Sequence, residues 1–204
     1  MAKARTAPRK LPTQARSRVT IDVILTATAR ILQRDGFDRA STNRIAEAAG
    51  VSIGSLYQYF PSKEALVAAL VERHMEQMSR VLVEEMDAVA RAPLGTAVRR
   101  MVELMLRAHA VDPRLHKVLI EQVPRIGRLE RVHQVEAHMA KLVRAYFEAH
   151  RHELRPKNLE LAAFVVVQIV ESLTHAATLH HPERLADGHL ADEITTVVLR
   201  YLQD

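Results

Sequence analysis

The residues best suited to binding chemistry lie in a short segment near one end of the chain. Two tyrosines, Tyr57 and Tyr59, follow a run of small residues that includes Ser52, Gly54 and Ser55. Small residues at the start of a helix let its backbone amides approach a phosphate closely. Tyrosine hydroxyls bond the backbone oxygens of a nucleic acid while their rings pack on its sugars. The segment contains no pair of groups suited to catalysis, so it indicates a binding role and no catalytic residue is predicted.

The charge distribution points to the same end of the chain. Residues 1–63 contain eleven Lys or Arg and four Asp or Glu, whereas the remaining residues contain eighteen and twenty. A basic module joined to a near-neutral remainder indicates that one end meets a polyanion and the other does not. Residues 1–18 carry six basic side chains, no acidic ones and two prolines. They are predicted to be a disordered basic arm. An organelle transit peptide is the alternative for this segment, although the prolines interrupt it.

The segment with binding chemistry is predicted to lie on a pair of short helices. Apolar residues recur at a period of 3.6 throughout the chain and strand-like alternation is absent, which predicts an all-α protein of about nine helices. A first helix of about 18 residues ends at Gly36. Thr42 and Ser52 are the predicted caps of two short helices separated by Gly50. Such a pair is a helix-turn-helix, and with the first helix it forms a three-helix head.

The third helix has two distinct faces. In a helix that begins at Ser52, Leu56 and Phe60 lie one turn apart and are expected to anchor it to the head, with Val51 just outside. The opposite face is predicted to show Ile53, Gly54, Ser55, Tyr57, Gln58 and Tyr59. The helix is therefore predicted to bury its anchors and to offer the small and tyrosine residues to a partner.

The rest of the chain is also predicted to be helical. A fourth helix begins near Ser62, and five more follow Pro93, with breaks at 112–113, 124–127, 152–156 and 181–188. The segments 156–181 and 189–203 are apolar over more than one stripe, so they are predicted to pack against a second subunit as well. No uninterrupted apolar run reaches the roughly 18 to 20 residues that span a bilayer. We therefore expect a soluble protein with no membrane partner.

The segment between Thr42 and Leu66 contains a dense set of motif elements. They are Ile45-Ala46, Ala49-Gly50-Val51-Ser52, Gly54, Leu56-Tyr57, Tyr59-Phe60 and Lys63-Glu64. This set resembles the signature of the tetracycline-repressor (TetR) family of bacterial regulators, and the resemblance covers about residues 19–70. The resemblance implies an Ω-shaped homodimer in the bacterial cytoplasm. Its two heads would enter successive major grooves of a palindromic double-stranded operator, and its C-terminal helices would form a ligand cavity and the dimer interface.

The resemblance also implies roles for individual residues. Ile53, Gly54, Ser55 and Tyr57 would approach the bases, together with Asn43 from the preceding helix. Phosphates would be held by Thr42, Tyr59 and Lys63. Gln58 would contact either a base or the backbone, and Ser52 completes the predicted DNA-binding set. The implied domains are the arm at 1–18, the helix-turn-helix domain at 19–63 and a ligand-binding and dimerisation domain at 64–204.

The leading functional hypothesis is a transcriptional repressor that a small hydrophobic effector releases from its operator. An activator or an architectural regulator without an effector is the alternative within DNA binding. An alternative from another class is a helical small-molecule binding protein or enzyme whose head has lost its DNA role.

Candidate effector contacts come from two stripes in the C-terminal part. Met101, Leu104 and Met105 form an adaptable apolar stripe, and Gln168, Glu171 and His175 share one helix face. In a ligand cavity, the polar groups would orient the effector among apolar walls. Alternatively, the methionines fill gaps in the core and the polar groups face water or the other subunit.

No metal and no cofactor are predicted. The chain has no cysteine, which excludes thiolate metal sites and iron–sulfur clusters. The densest of the eleven histidines are His180-His181 and His150 with His152, and these are expected to be solvated. A single Glu-x-x-His motif, Glu130 with His133, lacks the second copy that a di-iron bundle needs.

Overall fold

The computed structural model describes residues 15–83, 85–126 and 129–203, without the side chains of 15, 16, 83 and 122–136. Within these ranges the chain forms α-helices and two short 3₁₀ helices, which confirms the predicted all-α class. The helices are α1 (Ala15–Arg39), α2 (Thr42–Ala48), α3 (Ile53–Tyr59), α4 (Lys63–Val83), α5 (Met86–Ala90), α6 (Leu94–His109), α7 (Pro113–Ile126), α8 (Leu129–Ala149), α9 (Leu159–His180) and α10 (His189–Gln203). The 3₁₀ helices are Arg151–Glu153 and Pro182–Leu185.

Five α-helices follow Pro93 in the described ranges, as predicted. The α5 helix was not predicted, because five residues are too few to show a helical period. At the other end, α1 begins at Ala15, so residues 15–18 of the predicted arm are helical and residues 1–14 lie outside the description. Gly36 interrupts α1 with φ 75°, ψ 172°, a conformation that strongly favours glycine. The predicted end of the first helix at Gly36 is therefore confirmed.

The chain divides into two compact units. The first comprises residues up to Met75 together with Arg114–Arg128. Its core includes Ile24, Leu56 and Phe60, each at most 1% exposed. The unit extends beyond the predicted domain boundary at residue 63 because early α4 and α7 are packed within it. Nε2 of His74 in α4 lies 2.9 Å from Nδ1 of His116 in α7, and both side chains are buried.

The second unit comprises Glu76–Pro113 and Leu129–Asp204. Its core is built by the inner faces of α6, α9 and α10, with Phe147 from α8. Burying each large apolar side chain contributes about 1.5–3 kcal/mol to folding. The backbone amide of Arg155 donates to the carbonyl of Leu202 over 2.7 Å, which ties the loop before α9 to the end of α10. Packing of these faces therefore determines the relative positions of α6, α9 and α10.

The α9 helix is long and apolar enough to cross a bilayer by length and composition alone. Counting uninterrupted apolar runs missed this property, because Gln168 and Glu171 divide the helix. In the structure, α9 is a core helix of the second unit and buries Ala162, Val166 and Val170. Burial inside the unit therefore accounts for part of its hydropathy, while Leu161, Phe164 and Leu173 remain exposed.

Candidate nucleic-acid interface and ligand cavity

The turn between α2 and α3 is set by glycine. Gly50 adopts φ 65°, which reverses the chain at the end of α2. The amide of Val51 then donates to the carbonyl of Ala46 over 3.0 Å and closes the turn. Ile45 of α2 and Leu56 of α3 are fully buried and anchor the two helices in the core of the first unit. Local backbone chemistry thus produces the helix-turn-helix that the sequence predicts.

Serine side chains cap both helices. Ser52 Oγ accepts a hydrogen bond from the amide of Ser55 over 3.0 Å and lies 2.8 Å from the hydroxyl of Ser55, which confirms Ser52 as a cap. The predicted cap of α2 was wrong by one residue. Ser41 Oγ accepts from the amide of Arg44 over 3.3 Å, and Thr42 is the first helical residue. Ser41 has the extended backbone that an N-cap requires, which leaves the hydroxyl of Thr42 available for other contacts.

The α3 helix separates its anchors from its outer face as predicted. Leu56 and Phe60 are buried, whereas Ile53 is 38% and Tyr57 42% exposed. Gly54, Ser52 and Gln58 are exposed, while Ser55 and Tyr59 are half-buried. The face that the sequence assigns to a partner is therefore accessible in the structure, and its roles toward DNA stay predictions.

A hydroxyl pair links the two helices on the accessible side. Thr42 Oγ1 in α2 lies 3.0 Å from the hydroxyl of Tyr57 in α3. Asn43, the next residue of α2, is exposed. The sequence assigned Thr42 to a phosphate and Tyr57 to a base, and the structure places their side chains in contact with each other. This contact sets the orientation of the Tyr57 ring before any partner arrives.

Lys63 connects the start of α4 to the turn after Gly36. Its Nζ donates to the carbonyl of Phe37 over 2.7 Å and lies 4.1 Å from the centre of the Phe37 ring. The side chain is half-buried. Because two of its interactions are internal, a phosphate contact by Lys63 would share the ammonium with this carbonyl.

Sequence reasoning missed a charged cluster between α1 and α2. The carboxylate of Asp35 accepts from Arg34 over 3.0 Å and pairs with Arg44 over 2.8 Å. Hydrogen bonds from Arg34 lower the pKa of the Asp35 carboxyl below its usual value. Arg44 also donates to the carbonyl of Arg39 over 3.2 Å, so the cluster fixes α2 against the end of α1. The net positive charge of this segment was visible in the sequence, but its pairing was not.

The second unit contains a partly open apolar cavity of about 320 Å³. Its walls come from α5, α6, α8, α9 and α10, and include Met86, Met101, Tyr146, Val170 and Val198. All lining side chains are apolar except Tyr146, whose hydroxyl donates to the carbonyl of Ala92 over 2.8 Å. A cavity of this size and character fits a small hydrophobic molecule. The contributions of α5 and α8 carried no distinguishing signal in the sequence.

The six predicted effector contacts occupy different places in this unit. Met101 lines the cavity and the other five do not. Leu104 is fully buried and Met105 packs against the core. Gln168, Glu171 and His175 are half-buried on α9, and burial lowers the pKa of the His175 imidazole. As a set, the effector contacts stay a prediction.

The densest histidine groups of the sequence have protein partners. His150 stacks on Tyr146 with ring centres 4.1 Å apart, and its Nδ1 lies 3.0 Å from the Tyr146 carbonyl. His152 pairs with Glu153 over 3.6 Å, and His181 with Glu183 over 3.4 Å. The side chains of Glu130 and His133 lie outside the described residues, as does the arm at 1–14.

Two family models match the chain. The model described as bacterial regulatory proteins of the tetR family matches residues 24–70, which contain the helix-turn-helix. The model described as the tetracyclin repressor-like C-terminal domain matches residues 93–202, more than half of the chain. Together they cover the region that carries the motif and the region that holds the cavity.

Individual relatives give a narrower picture. The nucleoid occlusion factor SlmA of Vibrio vulnificus is 33% identical over 101 residues, which is 47% of this chain and 48% of that protein. The match thus spans about half the length of the curated relatives. Among solved structures, NalD, the secondary repressor of the MexAB-OprM multidrug efflux pump in Pseudomonas aeruginosa, is 21% identical with TM-score 0.68, over 92% of this chain and 98% of that one. A SmeT–triclosan complex is 19% identical with TM-score 0.65, over 91% and 92%. At these identities the structures show a shared fold.

Proposed function

The chain belongs to the tetR family of bacterial regulatory proteins. On that premise we propose that it is a DNA-binding transcriptional regulator, a homodimeric repressor that a small hydrophobic effector releases from its operator. The observation that carries the DNA part of the proposal is the accessible face of α3, with Ile53 and Tyr57 exposed beside the uncovered helix start at Gly54. A short helix of this kind fits the major groove, where its first residues reach base edges.

The proposed division of labour follows from side-chain chemistry. Ile53, Ser55 and Tyr57 read base edges, and Asn43 adds a bidentate amide suited to adenine. Thr42, Tyr59 and Lys63 hold phosphates, which fixes the register of the head on the duplex without reading sequence. The contact between Thr42 and Tyr57 supports this proposal because it holds both side chains in place before binding.

Exposed apolar side chains on α9 and α10 support the homodimer. Leu161 and Phe164 lie about one turn apart on α9 and are 54% and 57% exposed, and Val197 on α10 is 46% exposed. Contiguous exposed apolar groups mark protein interfaces, and Leu161 and Phe164 are neighbours on one face of α9. Two copies related by a two-fold axis would present two heads to half-sites about 34 Å apart.

The apolar cavity supports the effector. A ligand that fits the cavity better in a dimer whose heads do not match the half-site spacing shifts the population away from DNA. The shift is limited by the difference in its affinity for the two states. NalD, a repressor of an efflux pump, and SmeT, which binds triclosan, share the fold, and this favours repression and a hydrophobic ligand here. A regulator of this kind would act in the cytoplasm, where the bacterial chromosome lies.

A gel-shift titration tests the sequence-specific DNA binding on which the proposal depends. The purified chain should shift the promoter fragment upstream of its own gene at a concentration at least about a hundredfold below that needed for a shuffled fragment of equal length. Tyr57→Ala should remove most of this preference, whereas Val111→Ala, an exposed apolar residue of the second unit, should leave it unchanged. Equal affinity of the wild type for both fragments would contradict a sequence-specific regulator.

Filling the cavity should weaken ligand binding and leave DNA binding intact. Met101→Trp places an indole where the cavity lies, so binding of the neutral hydrophobic dye N-phenyl-1-naphthylamine should weaken at least about tenfold. Binding to the promoter fragment should persist, because the head is unchanged. Fluorescence titration measures the dye, and Thr96→Trp is the control, since Thr96 is exposed on the same helix outside the cavity lining. An unchanged dye affinity in Met101→Trp would place the ligand elsewhere.

The relatives favour a second candidate, an architectural regulator without an effector. SlmA proteins are nucleoid occlusion factors, and one is a third identical over about half of this chain. Mapping of binding sites across the chromosome separates the two. A repressor occupies a few promoters, whereas an architectural protein occupies many sites irrespective of promoters and does not respond to ligands of the cavity.

A further inference from the structure

Two imidazole rings of the second unit converge at the end of α6. His109 is the last residue of α6 and is buried, and His175 is half-buried on α9. Their ring centres are 5.0 Å apart in an edge-on arrangement, and the ring nitrogens able to bind a metal lie no more than 4.8 Å apart. We propose that His109 and His175 hold a divalent transition-metal ion of the zinc class. This site is separate from the apolar cavity, whose lining includes neither residue.

The distance between the rings is close to what such an ion needs. Zinc binds histidine nitrogen at about 2.0–2.1 Å, so two ligands around a tetrahedral ion lie about 3.4 Å apart. Each ring nitrogen reaches this separation by moving less than about 1 Å, which a small rotation of either side chain provides. The two residues project from helices packed within one core, so the site needs no change of backbone.

A hydrogen bond selects the metal-binding nitrogen of His109. Its Nδ1 lies 2.8 Å from the carbonyl oxygen of Met105. Because a carbonyl only accepts, Nδ1 carries the proton and Nε2 carries the lone pair. Histidines that bind metals usually donate their other N–H to a carbonyl or carboxylate in this way, which orients the ring and raises its basicity. His109 therefore already has the tautomer of a metal ligand.

The local charges favour a cation. The end of a helix carries a partial negative charge, and His109 occupies the end of the 16-residue α6. Glu171 lies one turn before His175 on the same face of α9 and brings a half-buried carboxylate to this side of the helix. The neighbouring cation Arg107 is paired with Glu85. The sequence predicted no metal because its histidine pairs were judged by adjacency, whereas these two are far apart in the chain.

Metal titration tests the proposal. The full chain, prepared without a polyhistidine tag and stripped with a chelator, is titrated with Co²⁺ and then with Zn²⁺. We expect one Co²⁺ per chain with the visible absorption of a tetrahedral site, displaced by one Zn²⁺. His109→Ala and His175→Gln should each weaken binding at least tenfold. His180→Ala, which removes an exposed histidine of the same α9 helix, should leave it unchanged.

The controls keep the outcome interpretable. Circular dichroism identifies a variant that fails to fold. Because His109 is buried, His109→Ala is the variant more prone to misfold. If it does misfold, the result for His175→Gln, at a half-buried position, decides the test. The proposal is overturned if Co²⁺ binds without tetrahedral absorption, if His175→Gln binds with wild-type affinity, or if several weak sites disappear with His180→Ala instead.

Discussion

Replacing Gly54 by leucine should abolish specific DNA binding without harming the fold. Gly54 is the second residue of α3, and a Cβ built on it would meet only Ser52 Oγ, at 3.9 Å. Leucine therefore fits the free protein, and its higher helix propensity adds up to about 0.8 kcal/mol to the free energy of unfolding. In a complex with DNA, the leucine side chain would stand between the start of α3 and the duplex and keep them apart. Losing two base contacts at about 1–3 kcal/mol each weakens binding about thirtyfold or more.

Gly95→Leu is the matched control for this substitution. Gly95 is the second residue of α6, is exposed, and a Cβ there would meet nothing within 4 Å. Both variants should keep or raise the midpoint of urea unfolding, and only Gly54→Leu should lose affinity in fluorescence anisotropy with the promoter fragment. If Gly54→Leu binds as tightly as the wild type, the start of α3 does not approach DNA.

Placing a charge on the exposed face of α9 should separate the dimer and lower the affinity of the protein for its operator. Phe164 is 57% exposed and lies about one turn from Leu161, so Phe164→Glu leaves the core untouched but buries a carboxylate in the proposed interface. We expect a monomer at micromolar concentration in sedimentation velocity. Two linked heads gain about 10²–10⁴ in avidity over one, so binding to a palindromic operator should fall by at least a hundredfold.

Val111→Glu controls for the added charge. Val111 follows α6, is 46% exposed and lies outside the apolar face of α9. This variant should remain dimeric and bind the operator normally. A half-site fragment should bind Phe164→Glu and the wild type with similar affinity, because a single head suffices there. A dimeric Phe164→Glu would place the interface on another face.

The helix-turn-helix could be predicted from the sequence because each of its signals is local. The cap at Ser52 depends on an amide three residues away, and the turn depends on the positive φ of Gly50 alone. Leu56 and Phe60 are buried as expected, because residues one helical turn apart share a face. Local signals did not decide between two neighbouring residues that could both cap a helix. The N-cap of α2 is Ser41, whereas the sequence predicted Thr42.

Contacts between distant segments could not be predicted in this way. The hydroxyl contact of Thr42 with Tyr57, the pairing of Asp35 with Arg44, and the approach of His109 to His175 each join residues of different helices. Residue types alone pointed to DNA for Thr42 and Tyr57 and to an effector for His175, and they gave no role to His109. No sequence period encodes which face of one helix meets which face of another.

The sequence by itself determined the all-α class, the head with its exposed α3 face and the family, because these depend on helical period, caps and a dense local motif. Only the tertiary structure decided which apolar residues face the cavity. Met101 does, while Leu104, one turn away, is fully buried outside it. The physical reason is that hydrophobic periodicity shows that a helix face leaves water, whereas packing among five helices determines whether that face meets a neighbour, a void or a second subunit.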